Sequence, residues 1–122
     1  MNLPRLTTKI LTHVIHDAAE LCPQITAVGL VGSFARGEQN RSSDVDLIIK
    51  VNDYVRFQEI LEIFGGYVKH VLDYQFNKRV DIIRYDFAAD RAGRIPNEKE
   101  TWFYREGFEQ MLNEVKWLYE KG

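Results

Sequence analysis

Apolar residues recur at two different periods along the 122 residues of this chain, and the changes of period mark out its elements. Over 6–21, Ile10, Leu11, Val14, Ile15, Ala18, Leu21 and Cys22 form one stripe opposite Lys9, Thr12, His13, His16, Asp17 and Glu20. That spacing predicts an amphipathic helix, ended by Pro23. Ile25 to Val31 is an apolar, β-branched run, as expected of a strand buried on both faces, with Gly29 an anomaly inside it. A polar, turn-rich loop over 32–43 leads to a second apolar run, Val45 to Val51.

Asn52-Asp53 offers a helix start, and Val55, Ile60, Leu61 and Phe64 continue it over 53–64. Gly65-Gly66 reads as its stop. Residues 67–74 and 79–85 then read as a third and a fourth strand. The turn Phe76-Asn77-Lys78 between them implies an antiparallel hairpin. Gly93 and Pro96 break up 88–97. Over 99–121, Tyr104, Phe108, Met111, Leu112, Val115, Leu118 and Tyr119 predict one long helix, weakened at Gly107 by ~1 kcal/mol. The expected architecture is one domain over 1–122. Its class is α/β or α+β, a mixed sheet of about four strands flanked by helices.

Composition narrows the function without naming it. A net charge of −2 argues against a protein that coats nucleic acid. Cys22 is the only cysteine, so no internal disulfide forms and a reducing cytoplasm fits. The first five residues hold no apolar signal core, and no apolar run approaches the ~20 residues that span a bilayer. His13 and His16 sit at helical spacing for a metal but have no third ligand nearby, so they read as a solvated pair. Trp102, Phe103 and Trp117 fall off the C-terminal stripe. They mark either a partner surface or a cover for the sheet edge.

The chemistry concentrates between the first two strands. Gly32 and Ser33 follow a buried strand directly. Glycine permits a sharp turn there, and the backbone amides and the Ser33 hydroxyl are donors to an anion. Asp44 and Asp46 flank Val45 at the start of the next strand. Alternation places both carboxylates on one face, their Cα atoms roughly 6.5–7 Å apart. Two acids entering an apolar strand repel each other and lose hydration, which a divalent cation relieves. Oxygen-only ligands suit Mg²⁺, or Mn²⁺. A third carboxylate is expected from a neighbouring strand. Asp81, between Val80 and Ile82-Ile83, fits better than Asp73 beside the turn or Asp86 on the opposite face.

Together, Gly32-Ser33-Phe34-Ala35-Arg36-Gly37, Ser43-Asp44-Val45-Asp46-Leu47 and Val80-Asp81-Ile82 resemble the minimal nucleotidyltransferases of the DNA polymerase β superfamily. The resemblance covers about 25–85. Phe34 departs from it, standing where a basic residue is common in the family. The resemblance implies two Mg²⁺ ions held by Asp44, Asp46 and Asp81, with ATP as substrate. It further implies phosphate contacts from Gly32, Ser33 and Arg36, and Ser43 orienting Asp44 or touching phosphate. Minimal members of the family pair with small helical HEPN toxins, acting as antitoxins and in some systems adenylylating them. The resemblance therefore implies transfer of AMP to a hydroxyl of such a partner. A module that neutralises its partner by contact alone, or a transferase acting on a small molecule such as an aminoglycoside, are the alternatives. Homo-oligomerisation is left open.

Overall fold

The computed structural model describes residues 5–40, 42–93 and 102–121. Thr7 caps the first helix, α1 (Thr8–Ala19), its side-chain oxygen accepting from the Ile10 amide at 3.2 Å. Then come β1 (Ile25–Val31), the short helix α2 (Gly32–Arg36) and β2 (Val45–Val51). A continuous helical stretch follows. It opens with a 3₁₀ turn at Tyr54–Arg56, becomes α3 (Phe57–Ile60), widens to a π segment at Leu61–Gly65 and ends as α4 (Gly66–Phe76). The remaining elements are β3 (Val80–Arg84), α5 (Tyr85–Gly93), α6 (Trp102–Asn113) and β4 (Lys116–Glu120).

The sheet runs β3-β2-β1-β4. β1 is antiparallel to both of its neighbours, whereas β2 and β3 are parallel. This is the mixed, four-stranded α/β sandwich that the sequence suggests. One face packs Leu30, Leu47 and Ile49 against Leu11 and Ile15 of α1 and Val68 and Leu72 of α4. The other packs Val31 and Ile48 against Ala88 of α5 and Phe108, Met111 and Leu112 of α6. Alternation along β2 sends Val45, Leu47 and Ile49 to the first face, so Asp46 belongs with Ile48 on the second.

α1, β1 and β2 form where the periodicity places them. The hairpin does not. Gly65-Gly66 fails to stop the helix, and 67–74 continues it as α4. Two helical glycines cost ~2 kcal/mol together. Against that stand Phe64, Val68 and Leu72, all fully buried, and Phe76, nearly so. Each such side chain gains about 1.5–3 kcal/mol on burial. The helix ends instead at Asn77, in the left-handed region at φ 52°. With a helix between them, β2 and β3 join as a parallel crossover.

The helix α5 begins at Tyr85, the expected end of the last strand, and makes 88–93 helical rather than irregular; the rest of the expected irregular stretch lies outside the described residues. The predicted C-terminal helix is two elements. It stops at Asn113, and Lys116–Glu120 turns into a strand along β1. β1 is buried on both faces, so its second edge would otherwise leave backbone groups unpaired. The anomalous Gly29 belongs to this contact: a Cβ there would run into Val115 Cγ1. Leu118 and Tyr119 consequently pack on the first core, and Phe108 to Val115 on the second. His16 helps seat the strand, its Nε2 lying 3.0 Å from the Leu118 carbonyl oxygen.

Candidate active site

Three strand ends meet at the candidate site. In the antiparallel ladder Val31 pairs with Asp46, and in the parallel ladder Asp46 pairs with Asp81. Directly paired residues share a face, so Asp46 and Asp81 stand side by side on adjacent strands, about 4.8 Å apart in the ladder direction. Asp44 lies one residue before β2 begins. Asp44 and Asp46 are half-buried and Asp81 is exposed.

Gly32 makes the turn out of β1 at φ 75°. A Cβ on it would lie 2.5 Å from Asp46 Oδ2, so a side chain here would meet the carboxylate itself. The chain then winds once as α2, closed by Gly37 at φ 71° and by a hydrogen bond from the Glu38 amide to the Ser33 carbonyl at 2.9 Å. Ser33 is half-buried beside the turn. Phe34, the departure from the family pattern, is buried in the first core and contributes packing.

Burial pushes the Asp46 carboxyl above its ordinary value, and the charges of Asp81 and Asp44 push the same way. A hydrogen bond shared with Asp81 adds to the effect, and Arg36 opposes it. The site thus concentrates negative charge on a partly desolvated carboxylate. Among the described residues no three His, Cys, Asp or Glu side chains close into a ready-made cation cage. An open set of carboxylate oxygens under mutual repulsion nonetheless suits Mg²⁺, which takes one or two protein carboxylates and completes its shell from phosphate and water.

Arg36 is held at the surface by Glu38, at 3.0 Å, and Glu114, at 3.2 Å. Ser43 Oγ accepts from the Asn40 amide at 2.8 Å and so shapes the loop before Asp44. Of the competing acids, Asp86 is taken up by Arg84, with bonds of 3.0 and 2.7 Å. Asp73 lies on α4 rather than on a paired strand, and borders a cleft that Asp81 also lines. Lys78, missed in the sequence, pins the loop: its Nζ donates to the carbonyls of Asn40 at 3.1 Å and Ser43 at 3.2 Å. A lysine two residues before the apolar strand that carries Asp81 was the available signal. Trp117 is partly exposed on β4 and packs near Tyr85 and Lys50 Nζ. The side chains of Trp102 and Phe103 lie outside the described residues.

Comparison with known proteins agrees with this geometry. The profile of the nucleotidyltransferase domain family matches residues 13–116. Two provisionally named protein adenylyltransferases of Methanocaldococcus jannaschii are similar. MJ1379 is 36% identical over 62 residues, 49% of this chain and 57% of that protein. MJ1215 is 32% identical over 63 residues, 49% of this chain and 64% of that protein. The matched stretch thus spans under two thirds of either relative. Among solved structures, a provisionally named minimal nucleotidyltransferase superposes with a TM-score of 0.52 at 24% identity, over 92% of this chain and 96% of that one. A mutant of the toxin–antitoxin pair MntA–HpeT superposes at 0.53 and 15% identity, over 95% of this chain and 75% of that one. At these identities the two structures are alike in fold.

Proposed function

The chain belongs to the nucleotidyltransferase domain family, and on that premise we propose that it transfers AMP from ATP to a hydroxyl of a partner protein. The observation that carries the reading is the register that sets Asp46 beside Asp81 against the Gly32 turn. The acceptor oxygen attacks the α-phosphorus, the bond to the β-phosphate oxygen breaks, and pyrophosphate leaves. Asp81, the exposed member, faces the acceptor side and takes the hydroxyl proton. Asp44, Asp46 and Asp81 are the residues that would hold Mg²⁺, whose chemistry is to neutralise the phosphates and lower the pKa of the attacking hydroxyl. Gly32 and Ser33 offer donors to the β and γ phosphates, and Ser43 keeps Asp44 in place. Arg36 turns from Glu38 and Glu114 to the leaving pyrophosphate.

Two similarities support a protein acceptor. The curated relatives are named as protein adenylyltransferases, and the fold recurs in a toxin–antitoxin pair. An antitoxin role toward a small helical toxin of HEPN type follows by analogy alone. The test incubates the protein with each labelled nucleoside triphosphate, Mg²⁺ and the product of the adjacent gene, and then weighs every protein by mass spectrometry. A gain of one AMP on the partner is expected with ATP. No nucleotide-sized gain with any triphosphate overturns the proposal.

A further inference from the structure

Asp81 also borders an open cleft of about 480 Å³ that the phosphate-side residues do not line. One wall is the start of β3, Arg79, Val80 and Asp81, and the other includes Lys69, His70 and Asp73 of α4. We infer that this cleft docks an extended acidic segment of a polypeptide and presents its hydroxyl to Asp81. The inference rests on the transferase reading for its chemistry, but the binding step stands on observations of its own.

Position comes first. β3 ends the sheet, with β2 on its only paired side among the described residues. The phosphate turn lies at β1 and β2, so a second reactant reaches Asp81 from the open flank. The cleft lies on that flank, bounded by the start of β3.

Charge decides the class. The chain is acidic overall, yet this cleft gathers Lys69, Lys78 and Arg79 against Asp73 and Asp81. Lys78 is committed to the loop carbonyls of Asn40 and Ser43. Lys69 and Arg79 are exposed and form no ion pair among the described residues. Two such cations beside an acceptor site select discrete negative charges flanking the hydroxyl. A polynucleotide fits poorly, because its continuous phosphates would meet the interspersed Asp73 and Asp81. An enclosed, largely apolar pocket for a small molecule is not what these residues build.

Shape agrees with an extended chain. The outer edge of β3 offers backbone groups for strand addition. Ile63, Tyr67, His70 and Tyr74 follow at helical spacing on the exposed side of the long helix, and the His70 and Tyr74 rings stack at 5.9 Å. That stripe continues the contact beyond the reacting residue.

The test uses two labelled peptide pools, each centred on one tyrosine or serine, flanked by glutamate in one and lysine in the other. A single-stranded RNA serves as a third probe. Anisotropy should show the wild-type protein binding the acidic pool at least tenfold more tightly than the other two probes. Lys69→Glu with Arg79→Glu should reverse the peptide preference, with melting temperature and ATP affinity unchanged. Equal affinities, a preference that survives charge reversal, or tighter binding of RNA overturns the inference. Acidic peptides that bind in this order but take up no labelled AMP leave the docking site standing and sink the transferase reading.

Discussion

Asp46 and Asp81 are direct partners in the parallel β2–β3 ladder, and Gly32 backs onto the first of them. Main-chain register sets these two acids side by side, and the partial burial of Asp46 keeps its carboxylate from full hydration. The fold carries that repulsion until something positive or protonated relieves it.

Stability should therefore rise when one charge is removed. Burial first, and then the charges of Asp81 and Asp44, raise the Asp46 pKa above its ordinary 3.8. For a raised carboxylate the native state binds more protons than the unfolded chain between the two pKa values. Stability accordingly falls as pH climbs through that window, and the deficit is full above it. Asp46→Asn should melt above the wild type at pH 7.5 in EDTA, with the difference vanishing below pH 3.8. Mg²⁺ with ATP at 100-fold over Kd should stabilise the wild type by about 2.7 kcal/mol and the variant far less. Thermal scans across pH, with and without ligand, check both.

Gly32 and Gly37 separate backbone strain from site geometry. Both have positive φ, but only at Gly32 would a Cβ meet Asp46, and at Gly37 nothing lies within 4 Å. Each alanine variant should lose about 1–2 kcal/mol of stability from the left-handed backbone. Only Gly32→Ala should also lose transfer activity, by tenfold or more, about 1.4 kcal/mol of barrier. Denaturant titration paired with initial rates distinguishes the two.

Replacing both Asp44 and Asp46 by alanine should lower AMP transfer by roughly a thousandfold, the scale on which electrostatic stabilisation of a transition state acts. Circular dichroism should remain native. If the double variant still neutralises its partner in cells, neutralisation works by contact.

Arg36 is occupied by Glu38 and Glu114, both of which raise its pKa. Glu114→Gln leaves one competitor in place of two. ATP should bind more tightly to this variant, with the melting temperature barely moved. Calorimetric titration in Mg²⁺ measures the change, and weaker binding would count against Arg36 as a phosphate ligand.

The corrected helix makes its own prediction. Leu72 is fully buried and Tyr74 is 78% exposed, two residues apart on α4. Leu72→Ala should cost about 2–5 kcal/mol and Tyr74→Ala under about 0.5 kcal/mol, read from urea unfolding.

The residues of the candidate site were legible in the linear chain because their chemistry is local. Gly32 needs a conformation most residues avoid, and Asp44 and Asp46 interrupt an apolar run at strand spacing. The first helix and first two strands were legible for a similar reason, since each carries its own period. Local pattern misread the stretch after Gly65-Gly66, where two glycines and β-branched residues pointed to a stop and a strand. Burial of Val68, Leu72 and Phe76 on the sheet outweighed them. It also misread Lys116–Glu120, whose strand form answers the unpaired edge of β1, a demand that exists only once the sheet does. Sequence alone singled out Asp44, Asp46 and Asp81 as the candidate acids. Tertiary structure decided that Asp81 arrives on a parallel neighbour in register with Asp46, because that pairing depends on the crossover helix and the hydrogen-bonded ladder rather than on either strand by itself.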